Sequence, residues 1–515
     1  MNNQNESERS HSHLVTFYHD IEQQTFPGVD KEKCRQAVQA FLEIEKKFHV
    51  PASYNVVGRL YREQPDLIGW ITENGQEVAF HSYNHYAQED SRNKDYETEV
   101  KQCRTLSDSP KGYRSPRSQY NQNTMKALWE NGFLWSAEMS THKEPFFVYA
   151  GLVQLPIAMD DWLLYTGPVQ RKKPIAISEW LSRFSNLFET RRYIAIGAHD
   201  SVASCEAKVI DAWEQAIRIA IEKKALIASF SQATDLFRRR VLADHYSKTA
   251  RTWNWSNKTF YRTKRFEEII RAEAIRMDHP VIADLGSGGG LLSSPLRDIA
   301  KEIYCVDNAP GMISQIDPTG VVLPRLAEVT DSGLPESSVD LVICSRIIEY
   351  LFDPDYIADE IVRIGKTGGI FVATFPASRD NPGTIGKSNY STPDQRLRRY
   401  FTSDEIKRWA DQIGPGHLIG VQYDAQEPST PEMEEHYRSI DQNPPPGARP
   451  RNWVYVGSIQ NKEQSGERHQ ETLPISTFEF RYEEAARLKE LIVKVGLKFP
   501  RPIRRIGRTL LRIEE

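Results

Sequence analysis

Paired cysteines are missing from this chain of 515 residues. Its cysteines are scattered, odd in number and never arranged as CxxC: Cys34, Cys103, Cys205, Cys305 and Cys344. This pattern argues against a disulfide framework, which needs an even set of cysteines in an oxidising compartment. We therefore expect reduced thiols in a cytoplasmic protein.

Long apolar runs and a signal-like N-terminus are also missing. No stretch of about 18 apolar residues occurs, which argues against a membrane span. The first residues, MNNQNESERSHSH, are polar and lack the apolar region of a secretion signal. The net charge of −4 gives no reason to expect nucleic-acid binding. The expected location is cytoplasmic, and the substrate must be reachable there.

The chain is too long for one hydrophobic core, and two domains of about 200–250 residues each are expected. Strand-like and helical segments alternate over residues 13–240, with strands predicted in HLVTFYHD, ASYNVVG, EVAFHS and RYIAIGAHD. Such alternation predicts an α/β domain built as a parallel barrel. Residues 1–12, which precede it, are predicted to be disordered.

A second alternation covers residues 241–460. Strands are predicted in HPVIADL, EIYCVD, VDLVICSR, GGIFVATF and NWVYVGS, which favours a Rossmann-like, doubly wound sheet. The proline-rich stretch 425–451 is predicted to be a long loop. Residues 461–515 are predicted to be a linker and a basic amphipathic tail. That tail is suited either to peripheral contact with an anionic membrane surface or to docking on a partner.

Polar residues stand at the ends of several predicted strands of the first domain. His81 and His85 follow the apolar run VAF, and their spacing would put both imidazoles on one helical face, suited to one divalent cation. Asp20 and Glu22 end the first strand, and His199 ends a late one. The carboxyl ends of barrel strands form one face, where active sites lie. Packing alone does not explain so many polar strand ends.

The ordered set TFYHDIE, HSYNH, GYRSPRSQY, AMDDW and AIGAHD resembles the polysaccharide deacetylases of carbohydrate esterase family 4, over residues 13–237. The resemblance implies a distorted (β/α) barrel and a metal-dependent N-deacetylase. It implies a divalent ion, zinc by preference, on one carboxylate and on His81 and His85. The implied substrate is an acetylated sugar or glycan precursor.

The family roles map onto residues of this chain. Asp20 is assigned as the base that takes a proton from water, and His199 as the acid that protonates the leaving amine. The resemblance further implies that Arg114 holds the base by an ion pair and that Asp161 orients the acid. Two registers remain open: Asp20 as base with Glu22 on the metal, which we favour, or Asp20 on the metal with His19 as base.

Departures from the family pattern keep two other functions open. Arg117 and Ser118 stand where Tyr-Gly is common, so the backbone donor to the oxyanion can be displaced. One alternative is an inactive deacetylase fold that serves a methyltransferase as a glycan-binding module. Another is a barrel that hydrolyses a non-sugar amide.

The glycine-rich stretch DLGSGGG marks a ligand loop in the second domain. Gly286, Gly288 and Gly290 follow a strand that ends with Asp284. Glycines there allow a sharp turn close to a ligand. A dinucleotide fingerprint would need Gly or Ala where Leu291 stands, which argues against a nicotinamide site. Asp307 ends the next strand and can bond both hydroxyls of an unphosphorylated ribose.

DLGSGGG, VDNAPGMI and the stretch from AEVTDSGLPESSVD onwards resemble class I S-adenosylmethionine-dependent methyltransferases, over about residues 244–460. The resemblance implies that the Asp284 loop holds the methionine end of the cofactor. It places Glu328 and Val329 beside the adenine, and Arg346 and Tyr350 where the acceptor pocket begins. Alignment can drive methyl transfer without a base. The two resemblances together predict a bifunctional enzyme that tailors a sugar precursor.

Overall fold

The protein is described from a computed structural model. The structure describes residues 11–23, 29–85, 96–166, 173–258, 260–378, 399–423 and 427–460, together with 473, 477 and 478. The predicted linker and basic tail therefore lie almost wholly outside the described residues, as do residues 1–10 of the predicted disordered N-terminus. Among the residues described, no helix combines the length and the apolar character needed to cross a membrane.

The first domain is a closed parallel barrel. Its strands are β1 (Leu14–Ile21), β2 (Ala52–Val56), β3 (Glu77–Phe80), β4 (Gly112–Tyr113), β5 (Trp135–Met139), β6 (Phe146–Tyr149), β7 (Leu152–Asp160), β8 (Tyr193–His199) and β9 (Leu226–Ile227). The ring runs β1-β2-β3-β4-β5-β7-β8 and returns to β1, with every pair parallel. β6 pairs antiparallel with β7, and the short β9 pairs with the start of β1. The predicted parallel barrel is confirmed.

Helices cover the outside of the barrel. They are α1 (Lys31–Phe48), α2 (Leu60–Glu63), α3 (Pro65–Glu73), α4 (Tyr96–Arg104), α5 (Gln122–Glu130), α6 (Ile177–Thr190), α7 (Asp200–Cys205), α8 (Lys208–Glu222) and α9 (Phe230–Lys258). β1 shows why the layers form, because its side chains alternate between two faces. Phe17 belongs to a buried cluster that includes Phe41 of α1 and Trp213 of α8. Tyr18, on the other face of β1, belongs to a separate buried cluster that includes Trp135 of β5.

In the described part of the second domain, seven strands form a mixed sheet ordered β12-β11-β10-β13-β14-β16-β15. The strands are β10 (Val281–Leu285), β11 (Glu302–Asp307), β12 (Val322–Leu326), β13 (Val339–Cys344), β14 (Gly365–Pro376), β15 (Gly416–Val421) and β16 (Asn452–Ser458). The order reverses at β10, as in a doubly wound fold, and β16 lies antiparallel to β14 and β15. The doubly wound fold is confirmed, although β12 and β15 were not predicted.

The helices of this domain are α10 (Tyr261–Ile275), α11 (Pro310–Ile313), α12 (Asp355–Ile364), α13 (Ser403–Ala410) and α14 (Pro431–Gln442). The prediction of one long loop over 425–451 is wrong, because α14 lies inside it. Thr430 caps this helix by accepting a hydrogen bond from the Met433 amide, and Pro431 occupies the first turn, where a missing N–H costs nothing.

Two features concern the predicted domain limits. The boundary predicted at 240 falls within α9, which continues without interruption to Lys258. At the other end, Phe478 is buried in the barrel core, and His11 forms a parallel bridge with it. The chain beyond the second domain therefore contacts the first domain again.

Candidate functional site

The carboxyl ends of the barrel strands bring the predicted polar residues together. Each strand of the closed ring places one side chain there, in or directly after the strand: Asp20, Asn55, His81, Arg114, Glu138, Asp161 and His199. In a parallel barrel these ends share one face. All of these side chains are buried.

The end of β1 separates the two registers that the sequence left open. Asp20 and Glu22 are two residues apart and share a face, whereas His19 points to the opposite face. The Nε2 atom of His19 lies 2.6 Å from a carboxylate oxygen of Glu45, and its ring stacks on Phe41 in the helix layer. His19 is thus remote from the cluster, which favours Asp20 as base and Glu22 as metal ligand.

His81 and His85 do come together, but not on a helix. The prediction of one helical face is wrong, because residues 81–85 form a loop in which Ser82 and His85 have φ values of 56° and 52°. The Ser82 hydroxyl accepts a hydrogen bond from the His85 amide, and Glu99 of α4 accepts one from the Tyr83 amide. These contacts set the two imidazole centroids 5.0 Å apart.

Glu22, His81 and His85 form a three-ligand cluster. One oxygen of Glu22, Oε1, lies 3.1 Å from Nε2 of His81 and 3.0 Å from Nε2 of His85. Ligand atoms in a tetrahedral zinc site with bonds of about 2.1 Å are roughly 3.4 Å apart, so the spacing suits a shared ion. The other oxygen, Oε2, is buried without a hydrogen-bond partner.

The hydrogen bonding of His81 fits a cation at this point. Its Nδ1 atom donates to the Arg114 carbonyl at 2.9 Å, because a carbonyl oxygen can only accept. In the neutral ring, Nε2 then carries a lone pair that faces the Glu22 carboxylate. Burial lowers the pKa of His81, which favours that neutral form. Two facing electron pairs repel unless a cation lies between them, so the residues fit a divalent metal ion.

Asp20 lies beside this cluster and stays ionised. Its Oδ1 atom accepts a hydrogen bond from the side-chain Nδ2 of Asn55 at 2.9 Å, and its Oδ2 atom lies 3.2 Å from Nε of Arg114. Burial by itself would raise the pKa of Asp20. The positive charge of Arg114 and the rings of His81 and His199 lower that pKa by more than burial raises it, so it lies below the ordinary value. An ionised carboxylate at this position can accept a proton.

His199 lies beside Asp20 on the neighbouring strand β8. Its Nδ1 atom lies 2.6 Å from Asp161, and its Nε2 atom lies 3.5 Å from Asp20. Burial opposes protonation, but Asp161, Glu22 and Asp20 outweigh it and raise the pKa of His199 to about 10. Trp162 Nε1 donates a hydrogen bond to His199 Nε2 at 3.1 Å, and the two rings pack edge to face. The nearby carboxylates favour the protonated ring, a form in which Nε2 would no longer accept from Trp162.

Sequence reasoning missed two carboxylates that support this cluster. Asp200 accepts hydrogen bonds from the backbone amides of Glu22 and Gln23, at 3.0 and 3.2 Å. Burial raises its pKa to about 7. Glu138 accepts a hydrogen bond from the Ser115 amide at 3.0 Å, next to Arg114. The sequence did carry a signal for each. Glu138 is an acid within the apolar strand WSAEM, and Asp200 directly follows the strand-end histidine in AHD.

The second cluster of predicted residues lies at the end of β10. Gly286 and Gly288 have φ values of 79° and 54°, which favour glycine. A Cβ atom on Gly286 would lie 2.7 Å from Ile347. Asp307 accepts hydrogen bonds from the backbone amides of Gly288 and Ala309, at 2.8 and 2.9 Å. The ends of β10 and β11 are therefore tied together by one carboxylate.

A cavity open to solvent adjoins this loop. The predicted cofactor residues that line it are Asp284, Gly286, Gly288, Asp307, Glu328 and Val329. Gly290 is not among the lining residues; it lies behind the loop with φ 72°, and an added Cβ would lie 2.8 Å from Ser294. Burial raises the pKa of Asp284 to about 7 and that of Asp307 to about 6.

The predicted acceptor residues also line this cavity, together with residues that the sequence did not indicate. Arg346 and Tyr350 line the wall, and Arg346 Nε donates to Glu349 at 2.7 Å. Tyr246 and Trp253 of α9 line it too, with ring centroids 5.1 Å apart. They were missed because they precede the glycine-rich loop and belong to no motif.

Comparison with known families agrees with this division of the chain. Residues 24–134 match the polysaccharide deacetylase family, and residues 283–373 match a methyltransferase domain family. A crystal structure of a probable polysaccharide deacetylase from Pseudomonas aeruginosa is 15% identical, with a TM-score of 0.37, covering 44% of this chain and 90% of that chain.

Curated relatives match the second domain. A probable S-adenosylmethionine-dependent methyltransferase from Mycolicibacterium smegmatis is 25% identical over 132 residues, 24% of this chain and 50% of that protein. A ubiquinone biosynthesis O-methyltransferase from Xanthomonas oryzae is 30% identical over 100 residues, 18% of this chain and 42% of that protein. The chain thus spans about half the length of these relatives. It contains an N-terminal polysaccharide deacetylase domain and a C-terminal methyltransferase domain.

Proposed function

We propose that the protein is a bifunctional carbohydrate-tailoring enzyme. Its first domain removes the acetyl group from an N-acetylated sugar by metal-dependent hydrolysis, and its second transfers a methyl group from S-adenosylmethionine. The observation that carries the hydrolase assignment is the buried cluster of Glu22, His81 and His85, in which an imidazole lone pair faces a carboxylate.

The base and the acid of the hydrolysis, Asp20 and His199, lie 3.5 Å apart beside that cluster. Asp20, ionised beside Arg114, takes a proton from the attacking water. His199, charged beside Asp161, gives a proton to the leaving amine nitrogen. An amine leaves an amide carbon readily only when protonated, so the two groups act in sequence. Their pKa values lie apart, below and above neutrality, as the two roles require.

Glu22, His81 and His85 would hold a divalent ion, for which zinc is the preferred candidate because two imidazoles and a carboxylate suit it. When bound, such an ion polarises a carbonyl and makes water more acidic. Asp200 and the Arg114 carbonyl orient two of the ligands by hydrogen bonds.

The methyltransferase site acts by alignment. Asp307 suits the ribose hydroxyls, and Asp284 suits the amino group of the cofactor's methionine end. Glu328 and Val329 flank the adenine. Methyl transfer to a nucleophile needs the attacking atom, the methyl carbon and the sulfur in line, and little proton transfer. We therefore assign no base in this domain.

The acceptor that we propose is a nucleotide- or lipid-linked sugar precursor in the cytoplasm. Joining two active sites in one chain raises the effective concentration of an intermediate at the second site. Peripheral contact with the inner face of a membrane, through the basic tail, remains a prediction from the sequence.

Elemental analysis of the purified protein tests the hydrolase assignment. We expect about one divalent ion per chain, lost in His81→Ala/His85→Ala. The matched control is His279→Ala/His417→Ala, which removes two exposed histidines. Release of acetate from N-acetylated sugars should be lost with the ion. If the wild-type protein holds no ion after exposure to zinc or cobalt, the barrel is a sugar-binding module instead. If the protein releases acyl groups from non-sugar amides but not from N-acetylated sugars, the substrate of the barrel is a non-sugar amide.

A further inference from the structure

One helix belongs to both domains. The start of α9 packs into the barrel core through Phe230, Leu236 and Phe237, all of which are buried. Further along the same helix, Ala250 packs with Met312 of the second domain. No loop separates the two regions, because α9 runs from Phe230 to Lys258. The last helix of the barrel therefore extends into the methyltransferase domain.

The same helix forms one wall of the cofactor cavity. Arg239, Leu242, Tyr246 and Trp253 all line it. Steps of three, four and seven residues return to the same face of an α-helix. This face of α9 is therefore built to contact whatever occupies the cavity.

Arg239 is the point on this wall where separate segments meet. Its Nε atom donates to Asp235, one turn earlier on α9, at 2.8 Å. Its Nη1 atom lies 2.9 Å from Oε2 of Glu328, at the cofactor cavity. Its Nη2 atom donates to the carbonyl of Leu473, beyond the second domain. All three charged side chains are buried.

We propose that Arg239 is a positioning residue of the methyltransferase cofactor site, which holds Glu328 in place against the adenosine of the cofactor. The inference rests on the proposed role of Glu328. It makes the barrel an integral part of the methyltransferase, because the guanidinium comes from the barrel's own terminal helix.

The contacts of Glu328 explain how the effect reaches the cofactor. Its Oε2 atom also accepts a hydrogen bond from the side-chain Nδ2 of Asn308 at 3.1 Å. Asn308 directly follows Asp307, the residue proposed for the ribose. Without the guanidinium, the buried Glu328 carboxylate would lose the positive charge 2.9 Å from its Oε2 atom, which favours uptake of a proton or a turn towards water. The side of the cavity that faces adenosine would change in either case.

Binding of S-adenosylhomocysteine to the full chain, measured by calorimetry, tests the proposal. We expect Arg239→Met to weaken binding roughly tenfold, because Glu328 loses a cationic partner whose Nη1 atom lies 2.9 Å from its carboxylate. Arg239→Lys should recover part of the loss. Arg240→Met, which removes the neighbouring and more exposed arginine that pairs with Asp244, should bind as the wild type does.

Two further variants separate positioning from general packing. Asp235→Asn alters the other ion pair of Arg239 but still accepts from Nε, so its binding should stay near the wild-type value. In a Glu328→Gln background, Arg239→Met should have little further effect, because the two residues act as one unit. If Arg239→Met does not fold, Arg239→Lys alone and combined with Glu328→Gln measures the same coupling.

Three results would overturn the proposal. If the wild type and Arg239→Met bind S-adenosylhomocysteine equally well, Arg239 has no positioning role, and the assignment of the cofactor site is unaffected. An equal loss in Asp235→Asn would attribute the effect to packing of the domains. No binding of S-adenosylhomocysteine or S-adenosylmethionine by the wild-type chain would overturn the cofactor assignment itself, and this proposal with it.

Discussion

The Nδ1 atom of His199 lies 2.6 Å from one carboxylate oxygen of Asp161, and the backbone amide of His199 donates to the other oxygen at 2.9 Å. The two residues come from different strand ends, β7 and β8. One carboxylate thus fixes both the rotation and the charge of the imidazole. The opposite nitrogen, Nε2, is left facing Asp20 at 3.5 Å. This geometry underlies the first prediction.

Asp161→Asn should lower deacetylation most strongly at alkaline pH. The pKa of His199 is about 10 because burial is outweighed by carboxylates, of which Asp161 is the strongest. Without that charge the pKa falls, and His199 loses its proton at a lower pH. The alkaline limb of the rate profile should move down by about one pH unit or more. Rates from pH 6 to 10 measure this, and bound metal should be unchanged. An unmoved limb would mean that His199 is not the acid.

Asp200→Asn should weaken metal binding without removing a ligand. Asp200 accepts hydrogen bonds from the backbone amides of Glu22 and Gln23, whereas an asparagine has one acceptor oxygen for both amides, no charge, and an NH2 group that can only donate. Loss of such a supporting group typically costs about 10- to 100-fold in metal affinity. Competition with a chromogenic zinc chelator measures the affinity, and the exposed Asp211→Asn is the control. Equal affinities for Asp200→Asn and wild type would show that Glu22 is held by other contacts.

Binding of S-adenosylmethionine should weaken as the pH falls. Burial raises the pKa of Asp284 to about 7 and that of Asp307 to about 6, so both carboxyls take up protons in the mildly acidic range. The cofactor's amino cation and ribose hydroxyls favour the ionised forms. Affinity should therefore be highest above about pH 7 and fall by tenfold or more by about pH 5.

Calorimetric titrations over that range test the dependence. Asp307→Asn should bind weakly throughout and show a flatter profile, while the exposed Asp317→Asn should follow the wild type. A wild-type affinity that does not change between pH 8 and pH 5 would contradict the assigned roles of both carboxylates.

Gly286→Ala should damage the cofactor loop. Its φ of 79° costs a residue with a Cβ about 1–2 kcal/mol, and the new atom would lie 2.7 Å from Ile347. We expect lower thermal stability and loss of the stabilisation that S-adenosylmethionine provides in a melting experiment. Gly320→Ala, where an added Cβ meets no atom within 4 Å, is the control. Full cofactor stabilisation in Gly286→Ala would contradict the assigned loop.

Several parts of the site could be predicted from the sequence. Asp20, Arg114 and His199 follow or end apolar strands, and strand ends in a parallel barrel share one face. Asp284 and Asp307 end strands beside a glycine-rich turn. Each of these signals lies within a few consecutive residues, so no knowledge of distant contacts was needed.

Other parts could not be predicted in this way. The spacing of His81 and His85 suggested a helix, but the residues form a loop. Glu99, on a separate helix, accepts hydrogen bonds from backbone amides of this loop. Asp200 and Glu138 looked like ordinary acids until the fold brought them against the ligand and the arginine. Such hydrogen bonds depend on packing between segments far apart in the chain.

The amino-acid sequence by itself indicated the alternation of strands and helices in each domain, the two domain types and most of the polar strand ends, because periodicity and turn residues act locally. The tertiary structure alone decided how His81 and His85 converge on Glu22 and why His19 faces away. It also decided that α9, which begins in the barrel core, supplies Arg239, Tyr246 and Trp253 to the cofactor cavity. These are consequences of long-range packing, because the segments against which a helix packs decide which of its residues face the cavity.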